Sequence, residues 1–394
     1  MDSFESQLLD LTSEDEESLA ASPTKPTNPY APLRSAEEQA ELDARKEEGD
    51  APTGRKTSGK NVTDADARQI LEPLALLRAM TAEQLSILGR PKEVNWREGA
   101  ANFHNPRSIQ NRLNLLRRAG IVESSDNDLG RTLWGLTPKG IEAALYFGRI
   151  ASPDQVNYQG VHGMKLTTLQ HTEAVNWVAA QALSRGEYAW KGSQRLPSKV
   201  LSLSQLRTEH QITKDWTAVN KALEAQRREN PNGPQRKFVD WRSTALRDAR
   251  ADATMGRVAW KHMMRYHPGL WTIARRPAFL NEKVNEHHLP DLVIDLEDHR
   301  KSEKRVSIGI EVELTPKRLD AYQTQFAMWR HELSYVSPVD GAMIYSKLLY
   351  FTNNKKVVEF VKLAADDLIE NKFLEIHPLT GRDGVTPLNL SNRT

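Results

Sequence analysis

Residues 105–120 read NPRSIQNRLNLLRRAG and have the start, the end and the spacing of a single helix. Asn105 followed by Pro106 has the form of a helix N-cap with proline in the first helical position. Gly120 suits the position just after a helix, where glycine accepts a positive φ at little cost. Apolar residues recur between these ends at helical spacing, at Ile109, Leu113 and Leu116. The sequence therefore predicts an amphipathic helix that ends at Gly120.

The opposite face of this helix carries basic and amide side chains, which are those of Arg107, Ser108, Gln110, Asn111, Asn114 and Arg118. Gln and Asn can bond adenine with two hydrogen bonds, Arg can bond guanine in the same way, and Ser and Arg can hold phosphates. We therefore expect this face to bind double-stranded DNA. A helix used for protein contacts or dimerisation is the alternative, and the basic, amide-rich composition favours DNA.

The segments around this helix complete a recognisable order of elements. Helical periodicity begins at residue 64, and Thr81 is placed to cap a second short helix. Two short strands, 121–125 and 132–136, follow the third helix, and Thr137-Pro138 opens a fourth. This order predicts a winged helix over residues 64–150, with Arg131 near the tip of the wing as a contact to phosphate or the minor groove.

The C-terminal half has the alternating pattern of strands. In residues 306–314, the apolar residues Ile308, Ile310, Val312 and Leu314 fall on one face, and Gly309, Glu311 and Glu313 fall on the other. A strand beginning near Asp291 precedes this one. A helix from Thr315, a strand 342–351, a helix 353–370 and a strand 373–376 follow. We expect an α/β sheet with Glu311 and Glu313 directed toward whatever Asp291 faces.

Three short motifs in this order resemble a known family. They are Leu136-Thr137-Pro138-Lys139-Gly140, Pro290-Asp291, and Glu311-Val312-Glu313-Leu314-Thr315-Pro316-Lys317. Together they resemble the replication-relaxation proteins of plasmids and phages, in which a winged helix precedes a PD-(D/E)xK nuclease-like domain. The resemblance covers roughly residues 64–375. It implies an α+β protein with an N-terminal winged helix-turn-helix and an α/β restriction-endonuclease-like domain that carries a helical insertion.

The resemblance also implies a candidate catalytic site. Asp291 and Glu311 would bind Mg²⁺ or Mn²⁺, which take oxygen ligands and activate water at a phosphate. Lys317 would orient the nucleophile or neutralise the phosphate, and Glu209, in a helix-like run at 204–212, would be an additional acid. The family pattern has lysine two residues after the second acid, where this chain has Glu313. Two interpretations therefore remain open. The domain is either a metal-dependent endonuclease or nickase, or it keeps the fold and no longer cuts DNA.

The histidines at 287, 288 and 299 raise the alternative of a zinc site. No second cluster at ligand spacing accompanies them, so we expect an exposed loop here instead.

Composition and charge set the expected domain organisation. Residues 1–50 hold fourteen Asp or Glu against four Lys or Arg, a net charge of −10, which leaves +12 for the rest of the chain. We expect a disordered acidic tail and linker over 1–63, the winged helix over 64–150 and the nuclease-like domain over 165–378. A basic helical insertion is expected near 215–276 and a flexible tail over 379–394. The acidic tail is a candidate site for a protein partner, and a homodimer is also open.

The absence of cysteine, of an apolar signal segment and of a long apolar run predicts a cytoplasmic protein with no membrane association. We expect a DNA-binding protein of a mobile genetic element that acts in its replication or maintenance. In the first hypothesis the C-terminal domain processes DNA. In the second the protein is a non-catalytic adaptor that links origin-like or centromere-like repeats to a segregation filament or the replication machinery. The third hypothesis is a transcriptional regulator.

Overall fold

The computed structural model describes residues 62, 66–88, 105–126, 131–146, 156, 161, 165–184, 203–229, 231, 273–274, 287–295, 305–335, 343–388 and 390. Predictions about residues 1–61, about His299 and about most of the insertion beyond residue 231 lie outside these residues. The described part has a mixed α+β fold, and residues Gly59–Thr394 form one compact unit. None of the helices described is both long and apolar enough to cross a membrane.

The N-terminal elements have the predicted order. A π-helical turn Ala67–Leu71 leads into α1 (Glu72–Leu77), which is followed by β1 (Ala79–Thr81), α2 (Ala82–Leu88), α3 (Pro106–Arg118), β2 (Val122–Asp126), β3 (Thr132–Leu136) and α4 (Pro138–Tyr146). The three strands form an antiparallel sheet in the order β1-β3-β2. Strand β1 was not predicted, because three residues between two helices carry no periodic pattern of their own.

Local hydrogen bonds explain where the helices begin and end. Thr81 and Gln84 form a reciprocal cap at the start of α2, in which each side chain accepts a bond from the other's backbone N–H. The Asn105 side chain accepts from the backbone N–H of Arg107 at 2.9 Å, and Gly120 has a φ of +72°. The predicted N-cap and the glycine after α3 are therefore confirmed.

The C-terminal elements include five strands that form one sheet. They are α5 (Leu166–Ser184), a 3₁₀ turn (Leu203–Gln205), β4 (Leu206–Thr208), α6 (Glu209–Glu229), β5 (Ile273–Ala274), β6 (His287–His288), β7 (Leu292–Asp295), β8 (Arg305–Val312), α7 (Leu319–Ser334), β9 (Met343–Phe351), α8 (Lys355–Glu370) and β10 (Leu374–His377). The strand order in this sheet is β10-β9-β8-β7-β4. Strands β8, β9 and β10 are parallel to one another, and β7 is antiparallel to both of its neighbours, β8 and β4. A separate two-stranded pair joins β5 and β6.

Two predicted elements differ from the structure. The run 204–212 is not one helix, because Leu206–Thr208 pairs with β7 and α6 begins only at Glu209. Helix α7 begins at Leu319 rather than at Thr315. Arg318, directly before the helix, has an extended backbone conformation, so the helix starts only after it.

Helix α5 joins the two halves of the molecule. On one side, the Gln84 side chain donates to the carbonyl of Glu173 at 2.8 Å, and the Asn176 side chain donates to the carbonyl of Leu77 at 3.0 Å. On the other side, apolar residues of α5 share a core with one face of the five-stranded sheet. The two domains expected from the sequence therefore share a hydrophobic core and meet at α5.

The last described residues form what we call the C-terminal strap, residues 379–388 and 390. Leu379, Leu388 and Leu390 are buried. The Gln181 side chain donates to the carbonyl of Thr380 at 2.8 Å. The flexible tail expected from residue 379 is thus wrong for the strap, because its leucines pack into the core that contains α5.

Candidate functional site

The two faces of α3 divide as predicted. Ile109, Leu113 and Leu116 are 4%, 0% and 2% exposed, and they pack into the core. On the opposite side Arg107, Ser108, Asn111 and Arg118 are exposed, and Gln110 and Asn114 are half-buried. All six candidate DNA contacts on this helix therefore retain solvent access, in positions where they can reach a ligand laid along the helix.

Two arginines of α3 have structural contacts that the sequence did not reveal. Arg112 forms a bidentate ion pair with Asp66, and this hydrogen bond raises the pKa of the Arg112 guanidinium. Arg117 donates to the Ser124 hydroxyl at 3.2 Å, and its guanidinium lies 5.6 Å from the ring centroid of Trp134. These contacts fix the orientation of α3 against the preceding helical turn and the β2–β3 hairpin.

Arg131, the predicted wing contact, forms an ion pair with Glu173 of α5. The Glu173 side chain is fully buried, and that of Arg131 is 33% exposed. This contact gives Arg131 a structural role between the two halves of the unit. Binding of DNA by Arg131 stays a prediction.

The predicted acids Asp291 and Glu311 lie opposite each other. Leu292 pairs with Ile310, and continuing the antiparallel register by one residue brings Asp291 opposite Glu311. The Asp291 carboxylate accepts the backbone N–H of Val312 at 2.7 Å, and its other oxygen is 3.5 Å from His171 Nε2. Asp291 therefore bridges β8 and α5.

The surroundings of Asp291 favour its protonated form. Burial, together with the nearby carboxylates of Glu311 and Glu209, raises the pKa of Asp291 to about 7, although His171 and the Val312 N–H oppose the rise. Near neutral pH this carboxyl group thus carries a proton in a large fraction of molecules.

Glu311 is enclosed by partners from two other elements. Its Oε1 atom lies 2.5 Å from His288 Nε2 and accepts a hydrogen bond of 3.0 Å from Trp329 Nε1. Gln325 Nε2 lies 3.2 Å from the same nitrogen of His288. Burial lowers the pKa of His288, but the charge and hydrogen bond of Glu311 outweigh burial, so the net pKa is raised. The contact with Glu311 therefore favours the protonated form of His288.

Gly309 explains how Trp329 reaches Glu311. A Cβ atom at position 309 would lie only 2.3 Å from Cη2 of Trp329, whose side chain is fully buried. The absence of a side chain at Gly309 leaves room for the indole beside β8, where its N–H donates to Glu311. The predicted common face of Gly309 and Glu311 is thus the face that α7 covers.

Lys317 and Glu313 contact each other rather than the central acids. Lys317 Nζ lies 2.5 Å from Glu313 Oε2, and the Lys317 side chain is half-exposed. Burial lowers the pKa of Lys317, but the bond to Glu313 outweighs it and the pKa is raised. The backbone N–H of Lys317 donates to the Tyr322 hydroxyl at 3.2 Å, which fixes the chain ahead of α7.

Glu209 is brought to Asp291 by the pairing of β4 with β7. Its backbone N–H donates to the carbonyl of Asp291 at 3.1 Å. Both residues line a cleft of about 270 Å³, which is bounded by the end of α1, by α5 and by the start of α6. Glu311 is not among the lining residues, so the cleft reaches only one of the two central acids.

Asp291 and Glu311, the residues expected to bind Mg²⁺ or Mn²⁺, each use one carboxylate oxygen in hydrogen bonds within the protein. Asp291 Oδ2 accepts from the Val312 N–H, and Glu311 Oε1 accepts from Trp329 and contacts His288. Within the described ranges, no group of three or more His, Asp or Glu side chains is placed to hold a metal ion. These bonds tie the ends of β7 and β8 to α5 and α7, and metal binding at this site stays a prediction.

Sequence reasoning missed three residues of this site. His288 was assigned to an exposed loop, but its side chain is only 24% exposed and contacts Glu311. Trp329 and His171 lie far along the chain, and only the glycine two residues before Glu311 hinted at a bulky neighbour. No family model matches this chain, and comparison with curated proteins and with solved structures finds no match.

Proposed function

We propose that this protein binds double-stranded DNA sequence-specifically, with α3 as the recognition helix of a winged helix at residues 66–146. The observation that carries the proposal is the division of α3 between a buried apolar face and an outer face of Arg, Ser, Asn and Gln. The sheet order β1-β3-β2, with α3 directly before β2, supports the winged-helix assignment. In that fold the third helix enters the major groove.

The second part of the proposal concerns the C-terminal domain. We infer a PD-(D/E)xK-like fold that does not cut DNA and serves as a structural or adaptor domain. The engaged carboxylates of Asp291 and Glu311 and the pairing of Lys317 with Glu313 support this inference. The order of the three sequence motifs supports a role in replication or maintenance of a mobile genetic element.

The test of DNA reading starts with selection of the bound sequence from random duplexes. The triple variant Arg107→Ala, Gln110→Ala, Asn111→Ala should then lose affinity for the selected site by about a hundredfold or more, since each good base contact contributes about 1–3 kcal/mol. Lys355→Ala with Lys356→Ala, two exposed lysines on α8, serves as the control that removes charge elsewhere. Unchanged affinity of the α3 variant for the selected site would contradict the proposal.

The test of the second part is a nicking assay on supercoiled plasmid with Mg²⁺ and with Mn²⁺. We expect no nicking above that of the double variant Asp291→Ala, Glu311→Ala. Metal-dependent nicking that this variant abolishes would overturn the non-catalytic assignment and leave the DNA-binding proposal intact.

A protein partner is proposed for the acidic segment 1–63, and a homodimer is compatible with the proposal. Removal of residues 1–50 should leave DNA affinity unchanged or slightly higher, because fourteen acidic side chains would no longer repel phosphate. Recruitment of the partner should be lost in the same variant. Loss of DNA binding on truncation would contradict this division of roles.

A further inference from the structure

Four polar residues of α3 lie on nearly the same side of the helix. Successive residues are about 100° apart, so the other three lie within about 40° of the direction of Arg107. They are Asn111, Asn114 and Arg118. The buried Ile109 lies on the opposite side. A duplex laid against the outer face would therefore meet an arginine near each end of α3 and two asparagines between them.

The two other arginines of α3 are already engaged within the protein. Arg112 forms the bidentate ion pair with Asp66, and Arg117 contacts the β2–β3 hairpin. At about 100° per residue, both lie to the sides of the outer face and not at its centre. Because bonding a guanine takes the fork of a guanidinium, Arg107 and Arg118 are the arginines that α3 offers to DNA.

Arg107 and Arg118 differ in their place along the helix. Arg107 lies in the first turn of α3, and Arg118 is its last residue, about 16 Å further along the axis. A recognition helix places its N-terminal residues against the base edges, and its C-terminal end contacts the DNA backbone. Arg107 is therefore placed to bond a base and Arg118 to bond a phosphate.

The spacing of the asparagines from Arg107 sets the length of the sequence that α3 can read. Asn111 lies about 6 Å and Asn114 about 10 Å beyond Arg107 along the helix axis. Successive base pairs are about 3.4 Å apart, so these three side chains cover about three or four base pairs. The base that arginine bonds best in the major groove is guanine, and the base that asparagine bonds best is adenine.

We propose that the DNA core read by α3 is about four base pairs long, with one G·C pair bonded by Arg107 at one end. The A·T pairs toward the other end are bonded by Asn111 and Asn114. Arg118 holds a phosphate and carries no sequence information. The inference rests on the proposed DNA binding by α3, and it adds which bases the site contains and which residue reads each of them.

The test begins with selection of bound sequences from random duplexes by the full-length protein. We expect the enriched sequences to share one G·C pair with A·T pairs within about four base pairs of it. A shared core that lacks either the G·C pair or the A·T pairs would overturn the inference and leave the DNA-binding proposal intact. Selection that enriches no sequence would overturn both.

Arg107→Ala and Arg118→Ala are a matched pair of variants, because they remove the same charge from the same face of α3. On duplexes with each core base pair replaced in turn, the wild type should lose about fivefold or more in affinity when the G·C pair is changed. Arg107→Ala should lose this discrimination at the G·C pair alone. Arg118→Ala should weaken binding to every duplex by a similar factor and reduce the salt dependence of binding by about one phosphate contact.

Asn111→Ala completes the comparison. It should relax discrimination at one A·T pair and retain the discrimination at the G·C pair. If Arg118→Ala relaxed discrimination at a base pair while Arg107→Ala weakened all duplexes equally, α3 would lie in the opposite direction on DNA and the inference would be wrong. Wild-type discrimination in both Arg107→Ala and Asn111→Ala would place the reading residues elsewhere in the protein and overturn it equally.

Discussion

Arg131, which directly precedes β3, forms an ion pair with Glu173 of α5. The Glu173 carboxylate is fully buried, and a buried charge without its partner is costly. The pair therefore helps to hold the proposed DNA-reading part at a fixed orientation to the rest of the unit.

Replacement of Arg131 by Ala should lower the free energy of unfolding by about 2 kcal/mol. This figure lies below the usual cost of breaking a buried pair, because the Arg131 side chain is one-third exposed. Urea denaturation measures the change. Arg118→Ala, an exposed arginine on α3, should cost less than about 0.5 kcal/mol. Equal stability of the two variants would show that the ion pair contributes nothing.

Gly309→Ala should destabilise the protein by about 1–3 kcal/mol, the usual cost of overpacking a core. The added Cβ would lie 2.3 Å from Cη2 of Trp329, so the indole must move and its bond to Glu311 must lengthen. Chemical denaturation and tryptophan fluorescence give the two measurements. Gly381→Ala is the matched control, because its nearest neighbour would be 3.9 Å away. A Gly309 variant as stable as the control would contradict this packing of the indole on β8.

Stability should fall as the pH rises from 5 to 8. The folded state raises the pKa of Asp291 from 3.8 to about 7, so the folded protein binds this proton more tightly than the unfolded chain does. The resulting stability is present below pH 4 and is lost as the pH rises toward 7, an effect of at most about 4 kcal/mol. The raised pKa of His288 acts in the same direction, because its stabilising protonated form is lost as the pH rises.

Asp291→Asn should flatten this dependence, as measured by the urea midpoint at several pH values. Asp366→Asn, an exposed residue on α8, is the matched control and should retain the wild-type slope. If the Asp291→Asn variant and the wild type have parallel profiles, the carboxyl group of Asp291 does not titrate in this range.

Removal of the C-terminal strap after residue 378 should destabilise the protein by several kcal/mol. The truncation exposes the surface that Leu379, Leu388 and Leu390 cover, and each buried leucine contributes about 1.5–3 kcal/mol. It also leaves the buried amide of Gln181 without its acceptors. The thermal midpoint gives the readout, and Leu388→Ala alone should produce an intermediate effect. A truncated protein that melts at the wild-type temperature would restore the expectation of a flexible tail.

Patterns among neighbouring residues in the sequence were sufficient to predict most helices and strands of the described fold. Helix α3, strands β3 and β9 and helix α8 were placed within about two residues, because their signals lie in caps and in periodic apolar positions. The alternation along β8 correctly separated the face of Ile308 and Ile310 from that of Gly309 and Glu311. These are properties of neighbouring residues, so the sequence contains them directly.

Neighbouring residues along the chain therefore account for the mixed α+β set of elements, the two faces of α3 and the common face of Gly309 and Glu311. The packing of distant segments brings His288 and Trp329 to Glu311, pairs Glu173 with Arg131 and places the C-terminal strap against α5. These contacts join residues 18 to 220 positions apart. Such pairings depend on how helices and sheet pack in space, and no periodicity along the chain encodes which distant side chain will meet a given carboxylate.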